Sequence, residues 1–114
     1  MSQGRPIAAA QVRDAAPLFA ALGDETRIRL LLQLSSNGPE SIAGLTTKSG
    51  MSRQAITKHL TVLSNAGLVR DNRRGRERIW HLEQGRFAEA RDYIDRISRQ
   101  WDEALGRLKH MVEG

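Results

Sequence analysis

Ser52-Arg-Gln-Ala-Ile-Thr-Lys-His-Leu60, followed by Leu63 and Ala66-Gly-Leu-Val69, is the stretch from which the rest of the chain is read. Ile56, Leu60 and Leu63 recur at i, i+4 and i+7, which predicts a helix with one buried stripe. Arg53, Gln54, Thr57, Lys58 and Thr61 then fall on the outward face. Arg, Lys and Gln side chains donate to base edges and phosphates, and Ser52 is a strong N-cap that leaves a positive helix end facing outward. A helix that enters a DNA major groove needs this combination. A solvated amphipathic helix carries the same stripe, so the neighbouring segments have to separate the two readings.

After Gly67 the chain runs Leu68-Val-Arg-Asp-Asn-Arg-Arg-Gly-Arg-Glu-Arg-Ile-Trp-His-Leu82, two short runs of strand formers around a basic turn. The pattern predicts a β-hairpin. Its tip holds Arg73, Arg74 and Arg76 around Gly75, and Val69, Ile79 and Trp80 supply apolar contacts behind it. A tip so basic suits phosphates. Residues 48 to 86 carry nine Lys or Arg against three acids, a net of +6, while the whole chain carries +5. The positive charge is therefore concentrated in the helix-plus-hairpin stretch, as an electrostatic footprint for nucleic acid requires. A membrane-surface helix would need bulky apolar residues opposite its cationic face, and the hairpin has none of that pattern.

The chain has 114 residues, 39% of them hydrophobic, and five aromatics, enough for one modest helical domain. It holds no run of about 18 apolar residues and no signal-peptide pattern, so a cytoplasmic protein without membrane attachment is expected. The absence of cysteine removes disulfides and thiolate metal ligands.

Residues 1–12 are small and weakly patterned, which predicts a loose arm ahead of a single domain over 13–114. Pro17 to Leu22 predicts a short helix stopped by Gly23, and Asp24 caps a second that runs from Thr26 to about Leu34. Ile28, Leu31, Leu32 and Leu34 are its inward candidates. Ser41 to Ser49 is a short third helix with Ile42 and Leu45 inward, and Gly50-Met51 makes the tight turn into Ser52. The result is helix, turn, helix.

Phe87, Ala90, Ile94, Ile97, Trp101, Ala104, Leu108 and Met111 alternate three- and four-residue steps, the spacing of an a/d seam. A helix over about 86–113 would be roughly 40 Å long, more than a domain of this size can cover. Part of the seam is therefore expected to meet another chain, the alternative being a long amphipathic helix folded wholly onto its own domain. Gly106 lies inside this helix and costs about 1 kcal/mol there.

These residues together resemble the ArsR-type winged-helix transcriptional repressors, over about Leu18 to Val112. The matching stretches are Phe19-Ala-Ala-Leu-Gly-Asp-Glu-Thr-Arg-Ile-Arg-Leu-Leu31, Ser52 to Leu60 with Leu63, Ala66-Gly-Leu-Val69 and the Arg73-Arg-Gly-Arg76 wing. Ile97-Ser-Arg-Gln-Trp101 and Leu105-Gly-Arg-Leu108 are similar to a branch of the family that lacks metal sites. The resemblance implies a mainly α fold with a small β-hairpin wing, a winged helix-turn-helix. It also implies a homodimer joined through the first and last helices, with Phe19, Phe87, Ile94, Ile97, Trp101, Leu105, Leu108 and Met111 in the contact. Ser52 to Ala66 becomes the recognition helix. On the family pattern Gln54, Thr57 and Lys58 fall at base- or phosphate-contacting positions, with Ser52, Arg53 and His59 beside them, and Arg73, Arg74 and Arg76 reach phosphate or the minor groove. For His59, one turn from Ile56, a partly buried structural role is an equal alternative.

Metal-sensing members of that family carry Cys-x-Cys on the helix before the recognition helix, where this chain reads Ser41 to Ser49. A second family site uses Asp-x-His followed by His-x-x-Glu. His110-Met-Val-Glu113 supplies only the latter half, and two ligands do not close a zinc site. No metal and no cofactor are expected. An enzyme is not expected either: Ser52 and His59 would sit about 10 Å apart along one helix when a nucleophile and its base need about 3 Å. Asp92, Asp95 and Glu89 read as surface partners of Arg91, Arg96 and Arg99, and glycine-rich phosphate loops are absent. The reading is a dimeric, sequence-specific double-stranded-DNA-binding regulator, a repressor that occludes a pseudo-palindromic operator, its own promoter included. The competing classes are a dimeric protein-interaction module and a non-specific nucleoid protein. Whether a small molecule or a protein releases the regulator is open.

Overall fold

The computed structural model describes residues 7–114. In chain order these form α1 (Ala9–Leu22), α2 (Glu25–Asn37), β1 (Glu40–Ser41), α3 (Ile42–Ser49), α4 (Arg53–Asn65), β2 (Val69–Arg74), β3 (Glu77–Leu82) and α5 (Gln84–Glu113). The fold is the winged helix-turn-helix read from the sequence.

Helix α1 starts well before the proline from which the sequence places it. Ala9 and Ala10 carry high helix propensity, and the Gln11 side chain accepts the Ala8 amide at 2.8 Å. Pro17 therefore stands in the helix interior, and residues 9–12, assigned to the loose arm, are helical. The rest of that arm, residues 1–6, lies outside the described residues.

Asp24 caps α2 as its sequence indicates, accepting from the Arg27 amide at 3.0 Å. That hydrogen bond, opposed in part by burial, holds the Asp24 carboxyl below the ordinary carboxylate range. The inward face of α2 differs from the expected one. Leu30, Leu31 and Leu34 are buried, while Ile28 and Leu32 are exposed. Leu31 and Leu34 are as expected, and Leu30 joins them where the helix packs on α1, α4 and the sheet. Arg27 then reaches back, donating from Nε to the Ala21 carbonyl at 2.7 Å and so satisfying the open end of α1.

Glu40 and Ser41 add a short third strand beside the hairpin, pairing with Trp80 and Ile79, so the antiparallel sheet runs β1-β3-β2. Two residues are too few for a strand signal of their own. Glu40 is buried at 9% exposure and makes a short ion pair with Lys48 of α3. A Cβ on Gly44 would force that carboxylate to shift.

The core gathers Leu18, Leu30, Leu45, Ile56, Leu60, Leu63, Leu68, Val69 and Trp80 around α4. Each fully buried Leu or Ile contributes about 1.5–3 kcal/mol of transfer free energy. Helix α5 enters this core only through Ala90 and Phe87. Tyr93 donates its hydroxyl to the Gln11 carbonyl at 2.7 Å and meets the Phe19 ring edge-on at 6.3 Å, which ties the first half of α5 to α1. From Ile97 onward every residue is exposed, and the described chain extends 66 Å along its long axis. Gly106 has nothing near it and leaves the helix unbroken.

Candidate nucleic-acid interface

The α3–α4 turn fixes the start of the recognition helix. Gly50 adopts a left-handed φ of 72°, the Ser49 hydroxyl accepts the Met51 amide at 3.2 Å, and the Ser52 hydroxyl accepts the Ala55 amide at 3.2 Å. Ser52 thus serves the helix backbone directly. Ile56, Leu60 and Leu63 lie at 0% exposure, which locks the rotation of α4 about its axis. That rotation turns Arg53, Gln54, Thr57, Lys58 and Thr61 to solvent along one open face.

Thr57 donates its hydroxyl proton to the Arg53 carbonyl at 2.8 Å, and Thr61 does the same to Thr57. Thr57 therefore offers outward a methyl group and an acceptor oxygen, a surface suited to a thymine methyl or an amino group on a base edge. Among the described residues nothing engages the Gln54 side-chain amide, which is exposed. His59 does not join the open face. It is half-buried, with Nδ1 3.9 Å from the Asp24 carboxylate at the start of α2.

The wing is a tight hairpin whose two loop residues are Gly75 and Arg76. Gly75 takes φ 60° at the first loop position, as a II′ turn needs. Arg73, Arg74 and Arg76 are exposed and have no carboxylate partner among the described residues. The other two wing arginines are engaged. Arg70 pairs with Glu83 at 2.9 Å, and Arg78 donates from Nε to Asp71 at 2.6 Å while its guanidinium lies 5.3 Å from the centre of the Trp80 ring. The Arg78 hydrogen bond holds the Asp71 carboxyl below its ordinary range.

Arg53 at the start of α4 shares a cleft with Arg73, Arg76 and Arg78 of the wing, so the structure brings helix and wing together at this end. Gln54, Thr57 and Lys58 line the adjoining open groove, and Arg74 stands apart at the hairpin tip.

Arg86 is a residue that sequence reasoning passed over. Its Nε donates to the Ala66 carbonyl at 3.1 Å, closing the C-terminus of α4, and its guanidinium pairs with Asp14 of α1 and Glu89 of α5. Gly67 has φ +79°, and a Cβ there would lie 2.7 Å from the Arg86 side chain. Glu89 thus serves Arg86, and Asp92 serves Arg96 at 3.2 Å. An i+3 charge pair was visible at Arg86 in the sequence. The contact across 20 residues to Ala66 was not.

The dimerisation candidates divide. Phe19 and Phe87 are partly covered by the domain itself, whereas Ile94, Ile97, Trp101, Leu105, Leu108 and Met111 are 40–80% exposed. Among the described residues no three His, Cys, Asp or Glu side chains form a metal-ligand group, and no helix is long and apolar enough to cross a membrane.

Residues 24–71 match the model of a bacterial regulatory protein family, arsR. The chain is 34% identical to the HTH-type transcriptional regulator NmtR of Mycobacterium tuberculosis over 107 residues, covering 94% of this chain and 78% of that one. It is 46% identical to an HTH-type transcriptional regulator of Bacillus subtilis, YuzN, over 68 residues, covering 54% and 74%. Among solved structures, an ArsR-like transcriptional regulator from Rhodococcus sp. RHA1 superposes with a TM-score of 0.84 at 34% identity, over 94% of this chain and 97% of that one.

Proposed function

The chain belongs to the arsR family of bacterial regulatory proteins and is a DNA-binding transcriptional regulator, not an enzyme, and from that premise we propose that it is a homodimeric repressor of a pseudo-palindromic operator. The observation that carries the proposal is a division of labour. Among the described residues α4 and the wing bear cations without a carboxylate partner, and α5 bears an uncovered apolar stripe. Pairing two copies through α1 and α5, with Phe19, Phe87, Ile94, Ile97, Trp101, Leu105, Leu108 and Met111 in the contact, would cover that stripe. It would also set two recognition helices about 34 Å apart, one turn of B-DNA.

In this reading Gln54 and Thr57 read base edges. Lys58, Arg73, Arg74 and Arg76 neutralise phosphates, Arg53 joins them at the helix start, Ser52 holds the helix end, and His59 anchors α4 to α2. Residues 13–114 act as one DNA-binding unit in the cytoplasm, where they reach the chromosome. Repression follows from occupancy, because a dimer across a promoter excludes polymerase, including at its own promoter.

Fluorescence anisotropy against the chain's own promoter fragment and a scrambled duplex tests the proposal. Specific affinity is expected within about 10⁻⁸ to 10⁻¹¹ M, at least about a thousandfold above the scrambled duplex and falling steeply with salt. Equal affinity for both duplexes would make it a non-specific DNA-packaging protein. No binding to either would leave a protein-interaction module.

A further inference from the structure

The cleft between the wing and the starts of α3 and α4 is a concavity of about 190 Å³ whose lining includes Ser41 and Ala43 with Arg53, Arg73, Arg76 and Arg78. Four arginines and one acidic residue, Glu77, line it. Solvated surface arginines normally spread apart or find acids, since like charges repel over a Debye length of about 8–10 Å. Here three of the four have no acidic partner among the described residues.

Arg78 is the exception, and its engagement makes it a fixed donor. Asp71 takes only its Nε proton, and the Trp80 ring holds the guanidinium in place, which leaves the terminal nitrogens with their donors committed to no described acceptor. A pre-positioned guanidinium loses little side-chain entropy when it binds an anion. Arg73 of β2 and Arg76 of the hairpin loop line the same cleft, and Arg53 comes from a different element, the first residue of the recognition helix.

We propose that this cleft seats a single backbone phosphate of the bound duplex, gripped jointly by Arg53 of the recognition helix and by Arg73, Arg76 and Arg78 of the wing. The inference rests on the DNA-binding reading above and sharpens it. The wing then does more than add independent contacts at a neighbouring groove. Helix and wing close on one phosphodiester at the groove edge, which sets how deeply α4 enters the groove. A phosphodiester offers two non-bridging oxygens to bidentate guanidinium donors, the geometry arginine matches and lysine does not.

Shared occupancy has a signature that separate contacts lack. Two groups on one phosphate release its counterion once, whereas groups on two phosphates release two. The experiment is a double-substitution cycle of Arg53→Gln and Arg76→Gln, both exposed positions, read by anisotropy on the promoter duplex over a salt series. Each single variant is expected to bind about tenfold more weakly. The double variant is expected to bind less weakly than the product of the two single losses, with the slope of log K against log salt falling by no more than about 0.9 in total because Arg73 and Arg78 remain at the same phosphate. A duplex carrying one neutral methylphosphonate at the contacted position should weaken wild type more than it weakens the double variant, in which only Arg73 and Arg78 still face that position. Inorganic phosphate at millimolar concentration should not displace the duplex, which separates a backbone phosphate from a free-anion site.

Multiplicative losses, with a slope change near 1.8 in the double variant, would overturn the shared seat while leaving DNA binding intact. Displacement by inorganic phosphate would overturn the assignment to the duplex backbone. Failure of the wild-type chain to bind duplex at all would remove the underlying reading along with the seat.

Discussion

Helices α4 and α5 are both amphipathic, and they spend their apolar stripes differently. In α4 the three stripe residues Ile56, Leu60 and Leu63 are all at 0% exposure, enclosed by α2, α3 and the sheet of the same chain. In α5 only Ala90 is buried, and Trp101, Leu108 and Met111 stand 63%, 55% and 80% exposed. The same periodicity thus serves two physical ends. A stripe closed within the chain fixes the orientation of a helix. A stripe left open leaves a surface that water pays for until a second surface covers it. The polar faces follow suit: that of α4 keeps Arg53 and Lys58 free of ion pairs among the described residues, whereas that of α5 spends Asp92 on Arg96.

The contrast breaks most readily at the core. Leu60→Ala is expected to cost about 2–5 kcal/mol, a large share of the 5–15 kcal/mol typical of a domain, and to lower the urea midpoint accordingly. Leu108→Ala, on the open stripe, should cost below about 0.5 kcal/mol at dilutions where the chain is single. Comparable losses for the two under dilute conditions would erase the distinction.

The open stripe is sharpened by charge. Ile97→Asp combined with Leu108→Asp should leave a folded chain that sediments at the single-chain mass, at concentrations where wild type sediments at twice that mass. It should also abolish the concentration dependence of Tm that an associating protein shows. An unchanged sedimenting mass would mean that something other than this stripe joins the copies.

A smaller effect probes the link between the two helices. Gly67 follows α4 with φ +79° and faces Arg86, which closes α4 and binds α1 and α5. Gly67→Ala should cost about 1–2 kcal/mol through the left-handed backbone, with further loss if Arg86 is displaced. Thermal unfolding measures the cost, and an Arg86→Ala comparison shows whether the two act through one contact.

The smallest effect is in acid. Asp24 caps α2 and Asp71 holds Arg78, and each carboxyl sits below its ordinary value of 3.8 in the folded chain. A depressed folded value means that the stabilisation is fully present above the unfolded value and is lost as pH falls through the folded one. Stability should therefore decline below about pH 4, and Asp24→Asn should flatten that decline at its α2 share. An acid limb identical in the variant would remove Asp24 from it.

Where the sequence was legible, one physical rule acted alone. Stripe spacing placed the inward residues of α4, the Asp24 and Ser52 caps stood at their helix starts, and the basic residues around Gly75 marked the hairpin. It was illegible where a long-range contact outweighed the local signal. Pro17 reads as a helix start, yet an alanine-rich turn with a Gln11 cap begins α1 eight residues earlier. Ile28 and Leu32 were read inward together with Leu31 and Leu34, but packing against α1, α4 and the sheet kept only the latter two and added Leu30. Glu40 became a strand residue only because Trp80 lies beside it, and Arg86 became a helix cap only because the chain returns to Ala66. At the interface, Gln54, Thr57, Lys58 and the wing arginines were legible as outward polar residues. The departure of His59 toward Asp24 and the joining of Arg78 to the cleft were not, since both depend on how elements cross.

Hydroxyl-radical footprinting of the full chain on its own promoter fragment tests the central claim most directly, because it reads where the recognition helices sit. Two protected patches about 10 base pairs apart centre to centre, related by a pseudo-dyad, are predicted for two copies joined through α5. A single protected patch, or uniform protection along the fragment, would contradict the paired arrangement.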